Sequence, residues 1–300
     1  MEENKKSGFV TILGRPNVGK STLLNKIIGR KISITSDKPQ TTRNKILGVY
    51  TSDKGQIVFF DTPGVHRPGF ELNRRMLKYV QAALSSVDLV LHMIDVGESF
   101  GHGEKYVIDM VKASKKDAIL VLNKIDKYKK GIILEKIDLY RNEHNYLEYI
   151  PISALTGEGL VELVETIYKY LPEGPFFYDK DFITDFPEKI LIAELIREKV
   201  LKYVREEIPY STGVLIDLYD DSQLEEKNLI RIEASILVEK DSQKGIIIGK
   251  GGKLIKKIGT EAREEIELLL GCRVYLGLFV KVNPNWRNNP IILDEMGLRL

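Results

Sequence analysis

The feature that most constrains the fold is the segment Gly14-Arg-Pro-Asn-Val-Gly-Lys-Ser21. It follows the apolar run 9–13 and precedes apolar residues at helical spacing, which predicts a strand, a loop and a helix in that order. Backbone N–H groups in such a loop bind phosphate oxygens. The alternative is a glycine-rich turn without a ligand. We expect a phosphate-binding loop formed by Gly14, Arg15, Pro16, Asn17, Val18, Gly19, Lys20, Ser21 and Thr22.

Three further polar motifs each follow an apolar run. They are Asp61-Thr-Pro-Gly64, Asn123-Lys-Ile-Asp126 and Ser153-Ala-Leu155. Loops at the carboxyl ends of strands in a doubly wound sheet face one crevice, so we expect the three motifs to meet the phosphate loop there. The sequence therefore predicts an α/β first domain with a mostly parallel, doubly wound sheet.

The four motifs together resemble the translation-factor class of GTPases. In the phosphate-loop pattern, Lys20 reaches the β- and γ-phosphates and the Ser21 hydroxyl binds Mg²⁺. The resemblance implies that Asp61 binds Mg²⁺ through a water and that the Gly64 N–H senses the γ-phosphate, which makes this loop a switch. Thr62, Pro63, Ser153 and Ala154 complete the predicted GTP-binding residues of these motifs.

The Asn-Lys-Ile-Asp motif carries the choice of base. A fixed carboxylate at Asp126 can accept hydrogen bonds from the ring N–H and the exocyclic amine of guanine, and adenine offers no matching pair of donors. Asn123 and Lys124 complete the motif. At about 1.5–3 kcal/mol for each charge-assisted bond, guanine is favoured on the order of 10²- to 10⁴-fold. A polar exit from a strand is the alternative interpretation.

The first switch lies between the first predicted helix and the strand that ends at Phe60, and the polar stretch Lys38–Arg43 is available for it. Thr41 and Thr42 could each complete the coordination of Mg²⁺. Gln-Thr-Thr-Arg resembles the Era-type GTPases, in which the second threonine has this role, so we favour Thr42. A surface loop with ordinary threonines is the alternative. The predicted catalytic residues are Lys20, Thr42 and Gly64.

Val65 stands where Ras-like GTPases have the glutamine that orients the attacking water. Hydrolysis must therefore be activated in another way. Asn17 matches the asparagine with which certain related GTPases bind K⁺ beside the phosphates, where a cation stabilises charge in the transition state. The alternative role for Asn17 is that of a loop residue that tolerates a bent backbone.

Composition predicts a globular chain with two domains. It has 300 residues, of which 43% are hydrophobic and 29% charged. We expect a GTPase domain over 1–171, a linker over 172–187 and a second domain with a tail over 188–300. The lone cysteine, Cys272, and the absence of an apolar N-terminal segment predict a cytoplasmic location.

The second half contains Ile246-Ile-Ile-Gly249-Lys-Gly-Gly252, an apolar approach to a Gly-x-x-Gly loop. The predicted order of elements is helix, strand, strand, helix, helix, strand, with a long amphipathic first helix over 190–204. This order resembles a smaller α+β KH domain, whose loop binds single-stranded RNA.

Five lysines and no acidic residue occupy 242–260. The predicted RNA-binding residues are Ile248, Gly249, Lys250, Gly251, Gly252, Lys253, Lys256 and Lys257. A solvated helix face is the alternative for the lysines, and Trp286 could either stack on a base or anchor the tail.

The pairing of the two domains resembles the Era family over nearly the whole chain. This resemblance implies a GTPase that binds 16S ribosomal RNA near its 3′ end, acts in assembly of the small ribosomal subunit and has a peripheral contact with the inner membrane. A tRNA-modifying GTPase is an alternative, although no cofactor site or reactive cysteine is visible for it. A non-enzymatic RNA-binding assembly protein with a structural nucleotide is the other alternative.

Overall fold

The computed structural model describes residues 5–38, 40–64 and 69–299, which form two compact units. The first unit contains residues 5–35, 42–64 and 76–185. The second unit contains residues 36–38, 40–41, 69–75 and 186–299. Two short segments from the first half of the sequence thus belong to the second unit.

The predicted linker, 172–187, lies largely within the first unit, which extends to residue 185. Ser7 N donates to Pro172 O at 3.0 Å, and Val49 N donates to Ile183 O at 2.8 Å. Backbone hydrogen bonds to β1 and β2 therefore hold this segment against the first unit.

A six-stranded sheet organises the first unit, in the order β2-β3-β1-β4-β5-β6. Only β2 is antiparallel to its neighbour. Every residue of β3 and β4 is buried, as is typical of strands covered on both faces by helices. The predicted doubly wound fold is confirmed. The elements are β1 (Lys6–Leu13), α1 (Lys20–Ile28), β2 (Ile46–Ser52), β3 (Gly55–Asp61), α2 (Glu71–Ser86), β4 (Leu89–Asp95), α3 (His102–Ser114), β5 (Asp117–Asn123), α4 (Lys130–Arg141), β6 (Tyr149–Pro151) and α5 (Leu160–Tyr170).

The second unit has a three-stranded sheet in the order β7-β8-β9. The strand β8 is antiparallel to β7 and parallel to β9. The predicted α+β fold and its order of main elements are confirmed. These elements are α6 (Glu188–Tyr203), α7 (Ile208–Ser211), β7 (Gly213–Asp220), α8 (Leu224–Lys227), β8 (Leu229–Val238), α9 (Asp241–Ile248), α10 (Lys253–Leu270), β9 (Arg273–Val282) and α11 (Pro290–Glu295).

The two long helices of this unit differ in how they are buried. Helix α10 is amphipathic, because its buried residues Ile258, Ala262 and Ile266 recur every four positions. Helix α6 is not the amphipathic helix that its sequence predicts: residues 191–193 and 195–198 are all buried, including Arg197 and Glu198. It packs against both α10 and β7, so most of its circumference is covered.

The C-terminal segment is anchored by Trp286, which is fully buried. Its indole Nε1 donates to Ser211 O at 3.0 Å. Of the two roles considered for Trp286, burial excludes base stacking and supports the anchor.

Among the helices of the described residues, none is long and apolar enough to cross a bilayer.

Candidate nucleotide and RNA sites

The phosphate loop connects β1 to α1 and curves around the side chain of Lys20. The Lys20 Nζ atom donates to Gly14 O at 3.2 Å and to Arg15 O at 2.9 Å. Burial lowers the pKa of Lys20 to about 8, although the nearby Asp61 carboxylate opposes this shift. Phosphate oxygens beside the ammonium favour its charged form, so a bound nucleotide would reverse the effect of burial.

Glycine is required at the helix end of this loop. Gly19 has a φ of 106°, and a Cβ atom there would lie 2.3 Å from Asn123 Nδ2. Only a residue without a side chain fits both the backbone and the neighbour. Gly64 lies similarly close, since a Cβ atom there would be 2.8 Å from Pro16 Cα. The backbone of the predicted second switch therefore approaches the phosphate loop directly.

Three predicted metal ligands meet at the start of α1. The Ser21 Oγ atom donates to Asp61 Oδ2 at 2.7 Å and lies 2.7 Å from Thr42 Oγ1. Between the two threonine candidates, Thr42 is the one in this cluster, whereas the Thr41 hydroxyl donates to Lys38 O. Ser33, which sequence reasoning missed, donates to Asp61 Oδ2 at 3.0 Å.

The cluster fits a magnesium ion. Hydroxyl and carboxylate oxygens are the hard ligands that Mg²⁺ prefers. Asp61 Oδ1 is buried and has no hydrogen-bond partner among the described residues, and such an orphaned oxygen is costly without a cation or water. Burial also raises the pKa of Asp61. A cation would instead favour the ionised carboxylate.

Asn123 joins three loops at the carboxyl edge of the sheet. Its Nδ2 atom donates to Val18 O in the phosphate loop at 2.7 Å. Its Oδ1 atom accepts from Ala154 N at 2.9 Å. Both contacts are buried, so this side chain fixes the phosphate loop and the Ser-Ala-Leu loop relative to β5. A contact between Asn123 and the base stays a prediction.

Lys124 and Asp126 have different surroundings. The Lys124 Nζ atom donates to Asn17 O at 2.8 Å and pairs with Asp95 Oδ2 at 2.7 Å. Sequence reasoning missed Asp95, although it ends β4 directly beside Asn123 of β5. The carboxylate of Asp126 is exposed. It is therefore available to accept hydrogen bonds from a base at this edge.

The remaining predicted residues of the pocket shape its walls. Thr62 Oγ1 donates to Ile12 O at 2.9 Å, which holds the loop after β3 against β1. Ser153 Oγ accepts from Thr156 N at 3.2 Å and so closes its own loop. Pro63 is buried and Thr22 is partly buried. Val65 lies outside the described residues.

The second candidate site is the Gly-x-x-Gly loop between α9 and α10. Gly249 has φ 71° and ψ 172°, and Gly251 has φ 60°. A Cβ atom at Gly249 would lie 2.7 Å from Leu254 Cβ, whereas one at Gly251 would meet open space. The four predicted lysines of the loop and the following helix, Lys250, Lys253, Lys256 and Lys257, are all exposed, and Ile248 is partly buried.

A groove of about 420 Å³ lies between α10 and β9. Helix α10 contributes Lys256, Thr260 and Arg263, and β9 contributes Tyr275. Apolar side chains of β9 form its floor. A groove with an apolar floor and a cationic rim suits bases below and phosphates above.

Comparisons with known proteins agree with this geometry. A family model described as 50S ribosome-binding GTPase matches residues 9–124, and a KH domain model matches residues 207–287. A structure of an Aquifex aeolicus Era variant bound to GDP and AlF₄⁻ is 42% identical, with a TM-score of 0.92, and the match covers 98% of this chain and 100% of that one. This chain belongs to the Era family of GTPases.

A second Era structure was solved with MgGDPNP and nucleotides 1506–1542 of 16S ribosomal RNA. It is 42% identical with a TM-score of 0.93, and the match covers 99% of this chain and 100% of that chain. The predicted family resemblance is thus confirmed over the whole length. Neither comparison assigns individual residues of this Era family member, so the roles of its site residues stay predictions.

Proposed function

We propose that this chain is a Mg²⁺-dependent GTPase that binds single-stranded 16S ribosomal RNA near its 3′ end and acts in assembly of the small ribosomal subunit. The observation that carries the proposal is the combination of a guanine-nucleotide pocket, built from loops that contact each other at 2.7–2.9 Å, with a KH loop and groove in one chain. Era proteins that match almost all of this chain have been solved with GDP and AlF₄⁻ and with 16S ribosomal RNA. A tRNA-modifying GTPase does not account for the match over the KH domain.

In the nucleotide pocket, each group has a distinct task. The backbone of the phosphate loop and Lys20 bind the phosphates, and Asp126 accepts from guanine. Ser21, Thr42 and Asp61 would hold the Mg²⁺ ion, which neutralises phosphate charge when bound. The Gly64 N–H donates to the γ-phosphate and is released when that group leaves, so hydrolysis loosens the loop after β3.

In the KH domain, the glycines of the loop let the RNA backbone approach closely, and the lysines bind phosphates. The groove between α10 and β9 receives the bases. Lys253, Lys256 and Lys257 lie on one exposed face of α10 because they are three and four residues apart. The acidic residues that flank this stretch in sequence, Asp241 and Glu261, confine the positive charge to the loop and the first turns of the helix.

The first test is binding by the purified full-length chain. We expect calorimetry to show GTP binding about 100-fold or more tighter than ATP binding, because adenine cannot satisfy Asp126. We also expect RNA with nucleotides 1506–1542 of 16S ribosomal RNA to bind more tightly than a double-stranded RNA of equal length. Equal affinity for GTP and ATP would contradict the proposal.

We include a potassium ion at Asn17 in the proposal. Asn17 has a φ of 65°, which glycine also adopts readily, so Asn17→Gly removes the amide without straining the loop. We expect GTP turnover to be about tenfold or more faster in KCl than in NaCl at equal ionic strength. The Asn17→Gly variant should show the same slow rate in both salts. Equal turnover of the unaltered chain in the two salts would remove the ion from the proposal.

We infer contact with the small ribosomal subunit itself, a cytoplasmic location and a peripheral contact with the inner membrane, all from the family resemblance. The lone thiol at Cys272 is buried, which is compatible with a reducing compartment.

A further inference from the structure

Arg197 is a buried cation in the middle of α6. Its side chain is only 1% exposed, and a buried guanidinium is costly unless its N–H groups find acceptors. Its Nε atom donates to Glu194 Oε1 at 2.8 Å, and its Nη2 atom donates to the second carboxylate oxygen. Glu194 lies three residues earlier on the same helix. This pair fixes the plane of the guanidinium and leaves donors for other partners.

The other acceptors of Arg197 are backbone carbonyls of the first switch. Nη1 donates to Gln40 O at 3.3 Å, and Nη2 donates to Thr41 O. Residues 40 and 41 belong to the same compact unit as α6. Gln40 has a φ of 60°, a conformation that non-glycine residues rarely adopt. The guanidinium N–H groups of Arg197 therefore stabilise a backbone conformation at Gln40 that glutamine rarely adopts.

The carbonyl of Thr41 lies in the same rigid peptide plane as the N–H of Thr42. Thr42 Oγ1 in turn lies 2.7 Å from Ser21 Oγ in the predicted Mg²⁺ site. We propose that Arg197 is a positioning residue, which orients Thr42 for Mg–GTP and through which the nucleotide state controls RNA binding. This inference rests on the proposed function.

Helix α6 also contacts the helix that follows the RNA loop. The Lys202 Nζ atom pairs with Glu261 Oε2 of α10 at 2.7 Å, and the Tyr203 hydroxyl donates to the same carboxylate. The Nζ atom of Lys257, a predicted RNA ligand, lies 4.5 Å from the centre of the Tyr203 ring. The helix that holds the first switch through Arg197 is thus packed and paired against the helix that bears the RNA-binding lysines.

This arrangement couples the binding of GTP to the binding of RNA. If GTP favours the position of Thr42 that Arg197 stabilises, GTP strengthens RNA binding, and RNA strengthens GTP binding by the same factor. Removal of the guanidinium should abolish this factor while both sites still bind their ligands. A merely structural role for Arg197 would lower stability and leave the ratio of affinities unchanged.

The experiment measures the affinity of the full-length chain for fluorescein-labelled RNA with nucleotides 1506–1542 of 16S ribosomal RNA, by anisotropy, with MgGDP and with MgGDPNP. We expect the ratio of the two dissociation constants to be about 5–150 in the unaltered chain. In Arg197→Ala it should fall to within about twofold of 1. Arg197→Lys keeps the charge but loses the planar fork, and its ratio should be lower than that of the unaltered chain by about threefold or more. The ratio of the GDP to the GDPNP dissociation constant, measured with and without RNA, should change by the same factor in each variant.

Lys189→Ala is the matched control, since Lys189 is an exposed cation on the same helix and should retain the full ratio. Thermal unfolding and GDP affinity establish that each variant is folded, and Arg197→Lys decides the question if Arg197→Ala does not fold. An Arg197 variant that keeps the full ratio overturns the inference. So does an unaltered chain that binds both ligands with a ratio of 1, which leaves the proposed function intact. An unaltered chain that binds no GDPNP or no RNA would refute the proposed function itself.

Discussion

Asp126→Asn is expected to change the base that this chain binds. The variant should lose GTP affinity by about 10²- to 10⁴-fold, because two charge-assisted hydrogen bonds of about 1.5–3 kcal/mol each depend on the carboxylate. An asparagine amide can instead donate to the C2 oxygen of xanthine and accept from its ring N–H. We therefore expect the variant to bind xanthosine triphosphate more tightly than GTP. Calorimetry with each nucleotide in Mg²⁺ buffer measures both changes.

The matched control for this substitution is Asp138→Asn. Asp138 lies on the neighbouring helix α4, is 77% exposed and pairs only loosely, at 3.8 Å, with Arg141. It should leave both affinities unchanged. The gain of xanthine binding is the sharper readout, since a misfolded variant would lose GTP without gaining another nucleotide. If Asp126→Asn bound GTP as tightly as the unaltered chain, Asp126 would not read the base.

Gly251→Asp is expected to weaken RNA binding by about tenfold to 100-fold. A carboxylate close to an RNA phosphate costs about 1–3 kcal/mol at partly screened surface sites. Steric effects contribute little, because a Cβ atom at this position meets open space. The φ of 60° is one that aspartate and asparagine tolerate better than other side chains. Anisotropy of labelled single-stranded RNA at two salt concentrations measures the loss.

Gly251→Asn separates charge from shape in this experiment. Asparagine has the size and the backbone preferences of aspartate but no charge, so this variant should keep most of the RNA affinity. GTP turnover in the absence of RNA should be unchanged in both variants. If the two variants lost RNA affinity equally, backbone conformation rather than phosphate repulsion would govern the loop, and the charge argument would be wrong.

Much of the fold and of the nucleotide pocket was predictable because its signals are local. Gly19, Lys20 and Ser21 lie next to each other in sequence. A parallel sheet brings the carboxyl ends of its strands to one edge, so the motifs that follow those strands meet there. The choice of Thr42 over Thr41 came from a family resemblance, and the position of its hydroxyl beside Ser21 agrees with it.

Other parts of the sites had no sequence signal strong enough to find them. Asp95 and Ser33 are short polar residues in unremarkable surroundings, and their roles emerge only from the atoms that they meet. Asp95 ends β4 level with Asn123, but only the pairing of β4 with β5 gives that register. The periodicity of α6 suggested an amphipathic helix, and burial on most sides contradicts it.

The sequence by itself determined the predicted chemistry of this chain: which loops are expected to bind phosphate, which carboxylate is expected to accept from guanine and which glycines are expected to let RNA approach. The tertiary structure alone decided that residues 40–41 share a unit with α6 and that Arg197 donates to them across 156 and 157 positions of the chain. The physical reason is that a backbone carbonyl is the same acceptor in every residue. A pairing between a side chain and a distant carbonyl therefore leaves no residue pattern, and only the packing of the chain specifies it.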